Sequence, residues 1–149
     1  MDLFDASSFL NTPMGEANAT RRDPLPAGET FGTITKVEMA HGTSDKGPWR
    51  KLNATIEVGD PSYLASAART KATLTYGIML DLTDTGTIAM GPNVNVRLGK
   101  LREATGVNQP GKALTEMVGR PIKIMVGHRP DANDPTVLYD EVKAVAKYA

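Results

Sequence analysis

Cysteine is absent from the 149-residue chain. That excludes disulfides, thiolate nucleophiles and cysteine metal sites, and it permits a reducing compartment. Histidine is scarce as well. His41 and His128 are the only two, and neither belongs to a spacing such as HExxH that sets two metal ligands on one helical face. Aromatic residues make up 5% of the chain, so any stacking surface has to come from a handful of positions. Neither sign of charge is in excess, with 17 basic residues against 17 acidic ones. A polyanionic partner would therefore need a local basic stripe rather than a global field. No apolar run approaches the roughly 18 residues of a membrane span, and the first residues lack the basic and apolar regions of a secretory signal. Neither a GxSxG elbow nor a GxxxxGK[ST] phosphate loop occurs. The carboxylates Asp81, Asp84, Asp131, Asp134, Asp140 and Glu141 fall in or beside turns, where acids usually cap or are solvated. No catalytic residue, metal ligand or cofactor site is expected, and the function is expected to be binding rather than catalysis.

The composition, 40% apolar and 23% charged, suits a single folded domain of ordinary size. Residues 1–28 mix small and turn-forming residues with Pro13, Pro24, Pro26 and Gly28, which predicts an extended N-terminal arm. Leu3, Phe4, Phe9 and Leu10 in this arm are too few for a core of their own. They are expected to dock on the domain, or on a second copy in a homo-oligomer, the competing expectation being a loosely attached terminus. Residues 29–149 form the domain. A first strand runs through ETFGTITKVEMA, with Phe31, Val37 and Met39 at even spacing. The turn HGTSDKGP leads into WRKLNATIEV, where Leu52, Ala54, Ile56 and Val58 alternate with Lys51, Asn53, Thr55 and Glu57. A long third strand alternates Ala72, Leu74, Tyr76, Ile78 and Leu80 with polar residues. Helical periodicity then takes over near Pro92, placing Val94, Leu98, Leu101 and Thr105 on one face, with Gly106 as the stop. RPIKIMVGH and VLYDEVKAVAKY read as the last two strands. Three strands, a helix and two strands is the order of the OB-fold, so the chain is predicted to be mainly β, a five-stranded OB-fold-like barrel with one helix between strands three and four.

Single-stranded nucleic acid is bound by cations that follow the phosphates and by flat side chains on which bases stack. Alternation puts Trp49, Lys51, Asn53 and Thr55 on the second strand's non-core face, although a tryptophan buried at the strand end is the competing expectation. Arg69, Lys71, Thr73 and Thr75 take the equivalent face of the third strand, with the basic end expected beside Trp49. A merely solvated face would look the same. The expected nucleic-acid-binding set is thus Trp49, Arg50, Lys51, Asn53, Tyr63, Arg69, Lys71 and Thr73. Lys46, Arg97, Lys100 and Arg102 are further candidates, the helical ones expected to point at water. Lys143 and Lys147 on the last strand are expected to lie away from the groove.

The segments LPAGETFGTITKVEM, KGPWRKLNATIEVGDP, GPNVNVRLGKLREATGV and MVGRPIKIMVGHRPDANDP, followed by YDEVKAV, occur in that order between about Leu25 and Val145. Together they resemble the phage-encoded single-stranded DNA-binding proteins of OB-fold type, including the DUF669 family. The resemblance implies a protein that coats single-stranded DNA during phage replication or recombination, without a cofactor, in the cytoplasm of the infected bacterial host. Many such proteins end in an acidic tail that recruits partners. The last residues here are EVKAVAKYA, so tail-mediated recruitment is not expected. Two other functions fit the same composition, a virion structural or decoration protein that pairs through its arm and strand edges, and a protein-binding inhibitor of host defence.

Overall fold

The computed structural model describes residues 3–148. Five strands, β1 (Gly28–Ser44), β2 (Gly47–Val58), β3 (Thr73–Met79), β4 (Pro121–Pro130) and β5 (Leu138–Lys147), form one antiparallel sheet in the order β3-β2-β1-β4-β5. Central β1 is 17 residues long, and a register break between Ile34 and Lys36 lets it serve two neighbours. Residues Gly28 to Thr33 pair with β4, and Gly32 to Ser44 pair with β2. The break also exchanges the two faces of the strand, as a one-residue bulge must. Before it Thr30, Gly32 and Ile34 point inward, and after it Val37 does. Phe31 therefore does not share a face with Val37 and Met39 as its spacing predicts. It packs edge-on against Tyr148, with ring centroids 5.2 Å apart.

Alternation elsewhere gives the expected core. Leu52, Ala54, Ile56 and Val58 of β2 are buried, as are Ala72, Leu74, Tyr76, Ile78 and Leu80 in and beside β3. Helix α3 (Val96–Thr105) closes one end of this core with Leu98, Leu101, Ala104 and Thr105. It begins later than Pro92 suggests, because Asn95 sits in the left-handed region (φ 50°) and is bound to the end of β3. Its Oδ1 accepts the Asp81 N–H at 2.7 Å, and its Nδ2 donates to the Asp81 and Ala89 carbonyls, both at 2.9 Å. Gly106, φ 81°, ends the helix as the sequence predicts.

The ladders make β3 and β5 run in the same direction, and the two edges come alongside each other without hydrogen bonding. The expected barrel is thus not closed. A seam remains, and side chains rather than backbone span it. Arg69, four residues before β3, reaches Asp140 of β5 at 3.4 Å.

The loop between β2 and β3 contains a short helix, α2 (Pro61–Ser66), capped by Asp60, whose carboxylate accepts the Ser62 and Tyr63 N–H groups. The N-terminal segment carries another, α1 (Ala6–Asn11), capped in the same way by Asp5. The expected docking of this arm on its own domain is not found. Leu3, Phe4, Phe9 and Leu10 are all at least 70% exposed, and the rings of Phe4 and Phe9 pack on each other, with centroids 5.5 Å apart. The arm is fixed at its base instead, where Leu25 is fully buried. The Leu25 N–H donates to Asp140 at 2.8 Å, and its carbonyl meets His128 Nε2 at 2.6 Å. No helix among the described residues is long and apolar enough to cross a membrane.

Candidate nucleic-acid interface

The expected site residues divide into three groups. Trp49, Lys51 and Asn53 do share the outer face of β2. Trp49 is half-buried rather than part of the core, because its indole lies across Gly42 of β1. A Cβ at Gly42 would sit 2.6 Å from the ring. Lys51 lies over Gly77 of β3 in the same manner. Arg50 does not join them, since it shares the parity of Leu52 and points to the other side, where its guanidinium donates to the Trp49 carbonyl at 2.9 Å.

Arg69, Lys71 and Thr73 lie at the opposite end of the sheet. Antiparallel pairing sets Lys51 against Met79 and Glu57 against Thr73, so the start of β3 borders the end of β2. Lys71 is then eight positions along the ladder from the level of Lys51, roughly 26 Å at the strand rise. The expected basic cluster around Trp49 is not formed. Tyr63, in the loop between β2 and β3, stands on α2 with its hydroxyl donating to the Pro26 carbonyl. Burial, and next the nearby Asp140 carboxylate, push its pKa above the ordinary phenol value. Arg69 is also occupied, by Asp140 and by the Asp23 carbonyl, to which it donates. Both side chains hold the base of the arm in place.

Around Arg69 and Thr73, however, a groove of about 510 Å³ opens between β3 and the start of β5. Arg21, Arg22 and Arg129 line it together with Thr75 and Tyr139, and Lys71 borders the adjoining hollow that Arg22 shares. Sequence periodicity passed over Arg21, Arg22, Arg129 and Tyr139. The RR pair in the arm and the RP pair after β4 were the only local signals. Arg129 and Tyr139 face each other across the β4–β5 ladder, with the guanidinium carbon 5.3 Å from the ring centroid, a cation–π distance. The Tyr139 hydroxyl donates to Asp131 at 2.7 Å. That bond raises the phenol's pKa and lowers the carboxyl's, and the Asn133 and Asp134 N–H groups lower the Asp131 value further. The ring is thereby held at a fixed angle and still 43% exposed.

The groove offers Arg21, Arg22 and Arg129, none of them in a salt bridge among the described residues, together with one oriented aromatic ring and the hydroxyls of Thr73 and Thr75. Its one lining carboxylate, Asp140, is already paired. Cations beside an aromatic ring are chemically suited to an anion that carries flat rings. Among the described residues no three His, Asp or Glu side chains gather as metal ligands. No protein-family model matches the chain and no curated protein matches it.

Proposed function

We propose that the protein binds single-stranded DNA with little sequence preference and coats it during phage replication or recombination in the host cytoplasm. The groove between β3 and β5 carries this reading, because it combines cations for phosphates with an oriented ring for a base. The strand order supports it. Five antiparallel strands with near-parallel edges, and a helix between the third and fourth strands, is the arrangement of a partly open OB barrel. Such barrels take oligonucleotides on strands two and three and at the loop between strands four and five. Tyr139 and Arg129 flank that loop here. The protein needs no cofactor for this and performs no catalysis. Titration of labelled oligo-dT by fluorescence anisotropy at low salt tests the reading. Tyr139→Ala should weaken binding by about 1–3 kcal/mol, and Tyr139→Phe should keep most of the affinity. No binding by the wild type would overturn it. The exposed apolar face of α1 and the unpaired edges of β3 and β5 favour the second reading, a structural subunit of a virion.

A further inference from the structure

The seam between β3 and β5 has a second opening, at the end away from Tyr139. There a cleft of about 600 Å³ lies between Tyr76 of β3, α3 and the last residues of β5. Four cations converge on it, Arg97 and Lys100 from α3 and Lys143 and Lys147 from β5, against one lining carboxylate, Glu103. Lys143 is bound to Glu141 at 2.7 Å. Among the described residues Arg97, Lys100 and Lys147 have no carboxylate within 4.0 Å. Arg97 is nevertheless fixed, with its guanidinium carbon 5.0 Å from the centroid of the Tyr76 ring. β5 has a partner strand on one side only, so its free edge adds main-chain N–H groups to the same wall.

Two structural explanations compete with a binding role. Lysines on an edge strand discourage pairing with other chains, and helical cations commonly point at water. Edge protection accounts for Lys143 and Lys147 but not for two further cations directed at the same space from α3. Solvation of the helix does not account for a guanidinium seated on a buried tyrosine ring. In a chain of zero net charge, unpaired cations gathered from two elements leave a local positive field at the cleft. The cleft and the groove described above lie along the same β3–β5 seam, with no lining residue in common. Glu141 lies between them, and its carboxyl is held below the usual range by Lys143 first, with Arg129 at one end and Arg97 at the other contributing.

We infer that this cleft is a second phosphate-binding subsite, and that a nucleic-acid strand runs along the open seam from Tyr139 to Arg97 and Lys147 rather than across the outer face of β2. The inference rests on the single-stranded DNA reading and adds its path. It leaves Trp49 off the route, because the indole leans over β1, on the side of β2 away from the seam.

Oligo-dT titrations over a range of salt test it, with Trp49 fluorescence recorded in parallel. Lys100→Ala/Lys147→Ala removes two exposed side chains and should leave the melting temperature unchanged. It should flatten the slope of log affinity against log salt by about 1.4, at about 0.7 per phosphate contact. Lys36→Ala/Lys112→Ala, which removes two cations outside the seam, should leave the slope as it is, and Trp49 emission should change little on binding. If the wild type binds and Tyr139→Ala weakens it while the Lys100/Lys147 slope stays at the wild-type value, the second subsite is wrong and the DNA reading stands. Strong quenching of Trp49, or equal flattening by the control pair, overturns the seam path in the same way. If the wild type does not bind at low salt, both fall together.

Discussion

Asp140 accepts the Leu25 N–H through one oxygen and the Arg69 guanidinium through the other, so removing its carboxylate strands two donors at once. Both side chains of the ion pair are about 15% exposed or less, which makes an unpaired Arg69 costly. Asp140→Ala should lower stability by about 2–4 kcal/mol in urea denaturation. In an Arg69→Met background the same substitution should cost clearly less. Equal costs in both backgrounds would mean that the pair is incidental. Arg69 also shows why candidate site residues were only partly legible in the sequence. As a cation beside a threonine-rich strand it looks like a phosphate contact, and nothing nearby in the chain reveals a partner 71 positions away. Tyr63 misleads in the same way, through its bond to Pro26. Tyr139, the exposed ring, lies in a segment whose alternation gives no sign of the Arg129 beside it across the ladder.

Strands and their inward residues were legible because alternation is a local property, and β2, β3 and β4 follow it without interruption. The bulge in β1 was not legible. One extra residue leaves no mark in composition but reverses every side chain beyond it. β2 and β3 pair antiparallel as expected, but such a pair sets the start of β3 beside the end of β2 rather than beside Trp49, so the basic end lies at the other end of the ladder from the one expected. The arm divides sharply at its base. Its large apolar residues from Leu3 to Met14 are exposed, whereas Leu25 has no accessible surface. Deleting residues 1–20 should therefore leave the melting temperature within about 1–2 °C, as expected for surface changes of under about 0.5 kcal/mol. Deleting residues 1–26 should cost at least the roughly 2–5 kcal/mol of a buried leucine. A large loss from the shorter deletion would show that α1 packs on the domain in solution.

Across the molecule, balanced totals of charge hide an uneven distribution. Arg21, Arg22, Arg97, Lys100, Arg129 and Lys147, in no salt bridge among the described residues, line the two hollows of one seam, while acids such as Asp131 and Asp134 are engaged in their own turn. At physiological salt the Debye length of about 8 Å screens charges on the far side of the sheet. Wild-type binding to oligo-dT should thus show a salt slope of roughly −2 to −4, equivalent to three to six phosphates at about 0.7 each. A slope near zero would mean that the cations do not touch the backbone. The central position of β1 also sets the order in which the fold can assemble. Its hairpin with β2 closes through a turn of a few residues, on a timescale of about 1–10 μs. Its other edge waits for β4, some ninety residues later in the chain, and the buried Leu25 waits for Asp140, 115 positions on. With synthesis at about 5–20 residues per second, the nascent protein spends seconds as a half-built sheet whose longest strand has one bare edge. Completion of the sheet falls to β4 and β5, which follow its other three strands in the chain.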